Sequence, residues 1–168
     1  MGTIYYNNYM TQSCEICTLL PNTKYVLLET DLWMVSLAPD QQFLGRSFVT
    51  AKKHTRSLAA LSKAQWDDLH QVIIALENAI SSAYGADLFN WACLMNDAYK
   101  DTANTQSPHV HFHVRPRYKN TVYLQGYTFT DNDFGKHYKT PWDDPYQRAV
   151  PQTIMDAIYL NIQEYLGS

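Results

Sequence analysis

The chain has 168 residues with a formal net charge of -3, from 13 Lys and Arg against 16 Asp and Glu. This suits one domain with its own hydrophobic core and lacks the basic excess that a nucleic-acid polymer surface draws on. No apolar run reaches the roughly 20 residues a bilayer span requires, and residues 1–10 carry no secretory core, so a cytoplasmic protein without a membrane partner is expected. Cysteine occurs three times, an odd number that speaks against a disulfide framework.

In chain order, residues 1–12 read as a tyrosine-rich tail with little periodicity. Cys14-Glu15-Ile16-Cys17 follows, a C-x-x-C spacing that lets two thiolates converge on one ion or form a redox pair; in a reducing compartment metal binding is favoured. Tyr25–Glu29 and Trp33–Leu37 are rich in apolar and aromatic residues and read as two strands turned at Thr30-Asp31. Gly45 introduces a third strand, Ser47–Ala51, which runs into Lys52-Lys53-His54.

A long helix starts at Ser62. Ser62 and Gln65 form a capping box, while Trp66, Leu69, Ile73, Leu76 and Ile80 recur on one face, and Gly85 ends the helix. His70 lies beside that stripe and reads as structural or exposed. Leu88–Met95 and His109–Arg117 read as two further strands, joined by a polar connection, 96–108, of the kind that carries function. Cys93, inside Trp91-Ala92-Cys93-Leu94-Met95, reads as a small buried hydrophobe. Beyond Tyr118 the sequence is aromatic and turn-rich until a short amphipathic helix over 151–166, with Ile154, Ile158 and Ile162 on one side. The expected architecture is α+β: a five-stranded antiparallel sheet with one long helix across it, plus a C-terminal extension, 119–168, ending in a short helix.

His109-Val110-His111-Phe112-His113 holds half of the chain's six histidines. On a strand the three imidazoles share one face at intervals of roughly 6.6 Å, and Val110 and Phe112 point into a core. Imidazole serves near neutral pH as nucleophile, proton carrier or metal ligand, so three on a rigid element make a reactive ridge.

The run Pro108-His109-Val110-His111-Phe112-His113-Val114-Arg115-Pro116-Arg117 resembles the signature of the histidine triad family, in which three histidines alternate with apolar residues. Cys14 and Cys17, Gly45 before a strand ending in Lys52-Lys53-His54, and the capped helix from Ser62 extend the agreement over residues 13–118, the expected core domain. Arg115 departs from the pattern, standing where the family has an apolar residue; strand alternation puts it on the histidine face, as a polyphosphate partner or a solvent-facing arginine, and Arg117 is next on that face.

The resemblance implies a nucleotide-directed hydrolase that cleaves at an α-phosphate, with dinucleoside polyphosphates or nucleoside phosphoramidates as candidate substrates. His111 would attack phosphorus and form a nucleotidyl-histidine, the main chain of His109 would fix its tautomer, and His113 would hydrogen-bond the phosphate or leaving group. Uridylyltransferases of the family carry glutamine at the third histidine, so His113 favours water as acceptor. The alternatives are a nucleotidyl transferase and a non-catalytic nucleotide-binding module. The zinc-containing relatives imply a structural zinc held by Cys14, Cys17, His54 and His109, and the family implies a homodimer.

Substrate contacts carry over as Asn96, Gln106 and Ser107 near the phosphate and Trp33 and Leu37, with Leu32, as an apolar clamp. The ribose position falls at Ala38, which cannot hydrogen-bond, leaving Asp40 as a substitute, and Arg46 stands where a histidine usually follows the glycine. His137 and Trp142 lie in a downstream cluster that either returns over the site or forms a structural turn.

Overall fold

The computed structural model describes residues 14–100, 106–136 and 150–167. The expectations placed on 1–12, His137 and Trp142 lie outside the described residues. A five-residue helix α1 (Glu15–Leu19) precedes strands β1 (Val26–Glu29), β2 (Trp33–Leu37) and β3 (Ser47–Ala51). Then come the long helix α2 (Lys63–Tyr84), β4 (Leu88–Ala92), β5 (His111–Arg117), a hairpin of β6 (Val122–Leu124) and β7 (Tyr127–Phe129), and α3 (Gln152–Leu166). The five main strands form one antiparallel sheet in the order β1-β2-β3-β5-β4, and β6 pairs with β7 separately. The architecture is therefore α+β with a five-stranded antiparallel sheet, a long helix and a short C-terminal helix.

The capping box of α2 forms as its sequence implies: the Ser62 hydroxyl accepts from the Gln65 amide and the Gln65 side chain accepts from the Ser62 amide. Its other end closes on Gly85 in the left-handed conformation. The buried face differs by part of a turn from the expected one. Leu69, Val72, Leu76, Ala79 and Ile80 face the core, while Trp66 is 43% exposed. The reason lies in β2, whose Trp33 is fully buried and donates its indole N–H to the Gln65 carbonyl at 2.9 Å, occupying the space beneath the first turn.

Strand parity decides what faces the helix and what faces away. Trp33, Val35, Val49 and Val114 are buried in the core, with the Phe112 ring against both Trp33 and Trp91. The intervening positions, Met34, Ser36, Phe48, Thr50, His111 and His113, share the other face. The β3–β5 register sets Phe48 opposite His113 and Thr50 opposite His111. Three strands are shorter than expected, the first by Tyr25, which has a positive φ of 53°. The fourth ends at Ala92 because the chain turns through Met95 at a positive φ of 52° into a tight turn over Asn96–Tyr99. The fifth begins at His111 because the Val110 amide donates to Thr55 while its carbonyl accepts from Ala51.

The loop from Ala38 to Arg46 is organised by one buried amide. Gln41 donates to the Ala38 and Arg46 carbonyls at 2.7 and 2.9 Å and accepts from the Gly45 amide at 2.9 Å. Gly45 has φ +78°, and an added Cβ would lie 3.3 Å from Ile80 of α2, so both the turn and the close approach call for glycine. At the other end of the molecule, α3 packs against α2 and β1 and sends Ile154, Ile158 and Ile162 into the core. Tyr25 donates to Asp156 at 2.6 Å and fastens the same helix beside β1.

Arg117, which sequence left between polyphosphate and solvent, serves the fold. It donates to Asp131 at 2.5 and 3.0 Å, to Asn90 at 3.0 Å and to the Asp133 carbonyl at 2.6 Å, with both ion-pair partners almost completely buried. Removing one member of such a pair strands the other's charge. Asp131→Ala is therefore expected to cost about 3 kcal/mol of stability, read as a lowered urea midpoint at unchanged m-value; a loss within about 0.5 kcal/mol would contradict the assignment.

Candidate active site and metal centre

His109 is 1% exposed, and its ring is held from two sides. Nε2 lies 2.7 Å from the Ala51 carbonyl, which accepts only if that nitrogen carries the proton, so Nδ1 keeps its lone pair. That lone pair faces Cys14 Sγ at 3.3 Å, Cys17 Sγ at 3.4 Å and His54 Nδ1 at 3.3 Å, and His54 Nδ1 lies 3.4 Å from Cys17 Sγ. All four ligand atoms fall within 4.8 Å of one another. Bonds of roughly 2.0 Å from nitrogen and 2.3 Å from sulfur give a tetrahedron with edges of roughly 3.3–3.8 Å, which the four separations of 3.3–3.4 Å match. Burial, together with the neighbouring Cys14, pushes the Cys17 thiol up to about 11. Two imidazole lone pairs and two sulfurs gathered around one point are mutually unfavourable without a cation at the centre. The donor set fits zinc, closed and structural.

The loop geometry explains how these residues meet. Cys14 caps α1, its sulfur accepting from the Cys17 amide at 3.4 Å, so the C-x-x-C pair spans a single helical turn. His54 follows β3 and His109 precedes β5, two neighbouring strands of the sheet. The ion would join the N-terminal helix to both.

The other two histidines form a separate pair. His111 donates from Nδ1 to the His109 carbonyl at 2.8 Å, leaving Nε2 with the lone pair. His113 Nε2 is 3.2 Å from it, and the ring centroids are 5.0 Å apart, so the rings lean together rather than standing at strand spacing. His113 is lowered to about 3, chiefly by burial, then by the charges of His111, Arg115 and Arg46. It is thus neutral, with its proton on Nε2 toward His111 and its Nδ1 buried without a partner among the described residues. Phe48 stands edge-on to both rings, at 6.3 and 5.1 Å.

The pair opens into a cavity of about 630 Å3. Its floor is the sheet face of Met34, Ser36, Phe48 and Thr50; Ile16 and Leu19 of α1 and Met155 of α3 form walls, and Met95 and Asp97 stand at the histidine end. Of the residues expected to bind substrate, Leu37, Gln106 and Ser107 line this cavity, and the Gln106 amide oxygen is buried there without a partner among the described residues. Trp33 does not reach it. Its side chain belongs to the helix face of β2, and Met34 and Ser36 occupy the position it was expected to fill. Leu32 is packed against the core, and Asn96 is exposed at the start of the turn after β4, outside the lining. Arg115 is 2% exposed, neither solvent-facing nor part of the cavity wall, and acts on His113 through its charge. Asp40 is engaged by Arg46 and by the Gln42 amide at 2.8 Å, which commits it to its loop. Cys93 is half-buried, and burial raises its thiol above the ordinary value; His70 is exposed.

The residues missed from sequence follow one signal. Met34, Ser36, Phe48 and Thr50 have the parity opposite to the core positions Val35 and Val49, and that alternation is present in the sequence. The walls from α1 and α3 have no local signal, because they arise from how distant elements pack.

No protein-family profile matches this sequence, and no curated protein matches it. Solved structures do. The chain superposes on a hypothetical histidine triad nucleotide-binding protein from Sulfolobus tokodaii with a TM-score of 0.65 at 17% identity, covering 92% of each chain. A zinc-bound histidine triad family protein from Mycobacterium smegmatis gives 0.56 at 18% identity, covering 92% of this chain and 94% of that one. A uridylyltransferase gives 0.60 at 12% identity, with 92% of this chain matched to 45% of that one.

Two outcomes follow from the site. Protein purified without nickel resin is expected to carry about one zinc per chain by mass spectrometry, and Cys17→Ser to lose most of it with a lower melting temperature; less than about a tenth of an equivalent in the unaltered chain would refute the centre. His113 binds its proton less readily folded than unfolded, so stability is expected to fall as pH drops through 6.5 toward about 3. The unaltered chain should lose more stability than His113→Gln between neutrality and about pH 5; parallel denaturation curves would contradict a buried neutral ring. Sheet order, long helix, histidine strand and metal-ligand set together give this chain the fold of the histidine triad proteins.

Proposed function

We propose that the protein is a nucleotide-directed hydrolase that cleaves a phosphoanhydride or phosphoramidate at the α-phosphorus through a covalent nucleotidyl-His111. One observation carries the reading: His111 donates its Nδ1–H to the His109 carbonyl at 2.8 Å, so the lone pair is fixed on Nε2 of a ring that lines the cavity. A nucleophile whose tautomer is set before substrate arrives loses no proton in the attack.

With the α-phosphoryl group beside Nε2, an N–P bond forms as the bond to the leaving group breaks, and the leaving group departs with the electron pair. The proton stays on His111 Nδ1, and its hydrogen bond to the His109 carbonyl stabilises the positive charge on the ring. His113 is neutral and presents an N–H at Nε2; once the His111 lone pair is committed to phosphorus, that N–H is free to donate to a phosphoryl oxygen. Water then attacks phosphorus from the side the leaving group vacated, its proton passing to the released leaving group, while the N–P bond breaks, its electron pair returns to His111 Nε2 and the nucleotide is released. Gln106 and Ser107 flank the histidine end and suit the phosphate, while the apolar walls of Met34, Phe48, Leu19 and Met155 suit a nucleoside. Arg46 and Arg115 add positive field near His113. The metal centre, when filled, supplies rigidity: Cys14, Cys17, His54 and His109 hold the start of β5, and with it the carbonyl that orients His111.

Transfer of the nucleotidyl group to an acceptor other than water is the second reading, supported by the fold likeness to a uridylyltransferase. The histidine at 113 favours hydrolysis, and a non-catalytic module would have no use for the fixed tautomer.

Diadenosine tetraphosphate and an adenosine phosphoramidate serve as substrates. His111→Ala is expected to lower turnover by about a thousandfold or more, and His113→Gln by a smaller factor with the intermediate still forming. Acid-labile, base-stable label should be trapped on the unaltered chain and not on His111→Ala; binding without turnover or trapping would sink the enzyme reading. The reading extends to a homodimer, and a monomeric mass by light scattering would remove that part of it.

A further inference from the structure

We propose that His54 has a second task beyond holding the metal: it sets the direction of the Ser107 hydroxyl, so that filling the metal centre arms a phosphate donor in the cavity. This rests on the reading of the cavity as a nucleotide phosphate site. His54 presents Nδ1 to the cluster, 3.4 Å from Cys17 Sγ and 3.3 Å from His109 Nδ1, and its other ring nitrogen, Nε2, lies 3.1 Å from Ser107 Oγ. Ser107 lines the cavity beside His109 and His111, whereas His54 does not; it stands behind the serine. Ser107 has no other side-chain hydrogen bond among the described residues.

The chemistry of the two rings then determines which way the serine points. Ligation through Nδ1 uses that lone pair and places the ring proton on Nε2, where ligating histidines donate to an outer partner. Ser107 Oγ must accept it. A hydroxyl that accepts from behind keeps its own O–H free, and the open direction is the cavity. With no cation, the proton can sit on Nδ1 and point at a sulfur; Nε2 then accepts from Ser107, and the hydroxyl turns its proton away from the site. One hydrogen bond thus reverses with metal occupancy, and the cavity gains or loses a donor to a phosphate oxygen without any backbone movement. His54 is a positioning residue here, and Ser107 makes the contact.

AMP is the probe, titrated calorimetrically into zinc-loaded protein. Ser107→Ala is expected to weaken AMP about tenfold, the worth of one hydrogen bond to a charged group, and Ser107→Thr to restore it. A His54→Cys chain holding one zinc supplies the metal with a ligand but no ring N–H; it should show the same loss, with no further loss on adding Ser107→Ala. Unaltered affinity in the zinc-holding His54→Cys chain, or additive losses in the double variant, would overturn the proposal. A measurement that changes no metal ligand backs this up. In NMR spectra of histidine-labelled, zinc-loaded protein, the His54 proton is expected on Nε2 and its resonance should move upfield in Ser107→Ala; a proton on Nδ1, or an unmoved resonance, overturns it. If the unaltered chain binds no AMP, the nucleotide reading fails, while the resonance still decides whether His54 directs Ser107.

Discussion

The site depends on His109, a buried residue that makes three commitments at once. Its Nε2 proton goes to the Ala51 carbonyl, its Nδ1 lone pair to the metal-ligand cluster, and its main-chain carbonyl to the Nδ1 proton of His111. Each fixes the next. The bond to Ala51 selects the tautomer that can ligate, ligation fixes the position of the backbone, and the backbone selects the tautomer of the neighbouring histidine. Structural support and the orientation of the histidine pair are therefore joined through one residue whose own ring faces the metal ligands. The same logic recurs one loop away, where a ligand ring, His54, meets a hydroxyl of the cavity wall.

Burial controls the electrostatics around that chain of contacts. His113 sits among apolar and aromatic neighbours, with two guanidinium groups close enough to oppose a further positive charge, and so remains a neutral donor. A ring of this kind offers a hydrogen-bond donor to the cavity without becoming an ion itself. The guanidinium of Arg117 shows the opposite arrangement. It is buried with a full set of acceptors, Asp131 above all, and ties the end of β5 to the turn beyond β7. Three arginines near one strand end thus differ in role because their surroundings differ: Arg117 is neutralised by its own carboxylate, Arg46 shares Asp40, and Arg115 projects its charge toward the histidine pair.

The cavity is a product of packing at the edge of the sheet. Helix α3 lies against α2 and β1 and contributes Met155, and the short α1 contributes Ile16 and Leu19. These are apolar side chains, so that end of the pocket is lined with apolar surface, opposite the polar histidine end. Because the metal ligands anchor α1, the same cluster that orients His111 also holds one wall.

Much of this was legible in the sequence. The alternation of His109, His111 and His113 with Val110 and Phe112 announced a strand with a chemical face, and Ser62, Gln65 and Gly85 marked the ends of α2, because strand parity and helix capping are local properties. Position-by-position resemblance also gave the four metal ligands, which the fold brings within 4.8 Å. What tertiary structure alone decided was orientation and reach. The three histidines do not stand as a row: the first turns to the metal ligands and the other two lean together, while the Val110 amide between them and His109 bonds Thr55 and its carbonyl keeps the bond to Ala51. Trp33 went to the core and Asn96 to the surface, while the cavity acquired walls from both ends of the chain. Periodicity tells which side of an element a residue occupies, but whether that side meets a helix, a cavity or water depends on contacts between segments more than a hundred residues apart, as between Tyr25 and Asp156.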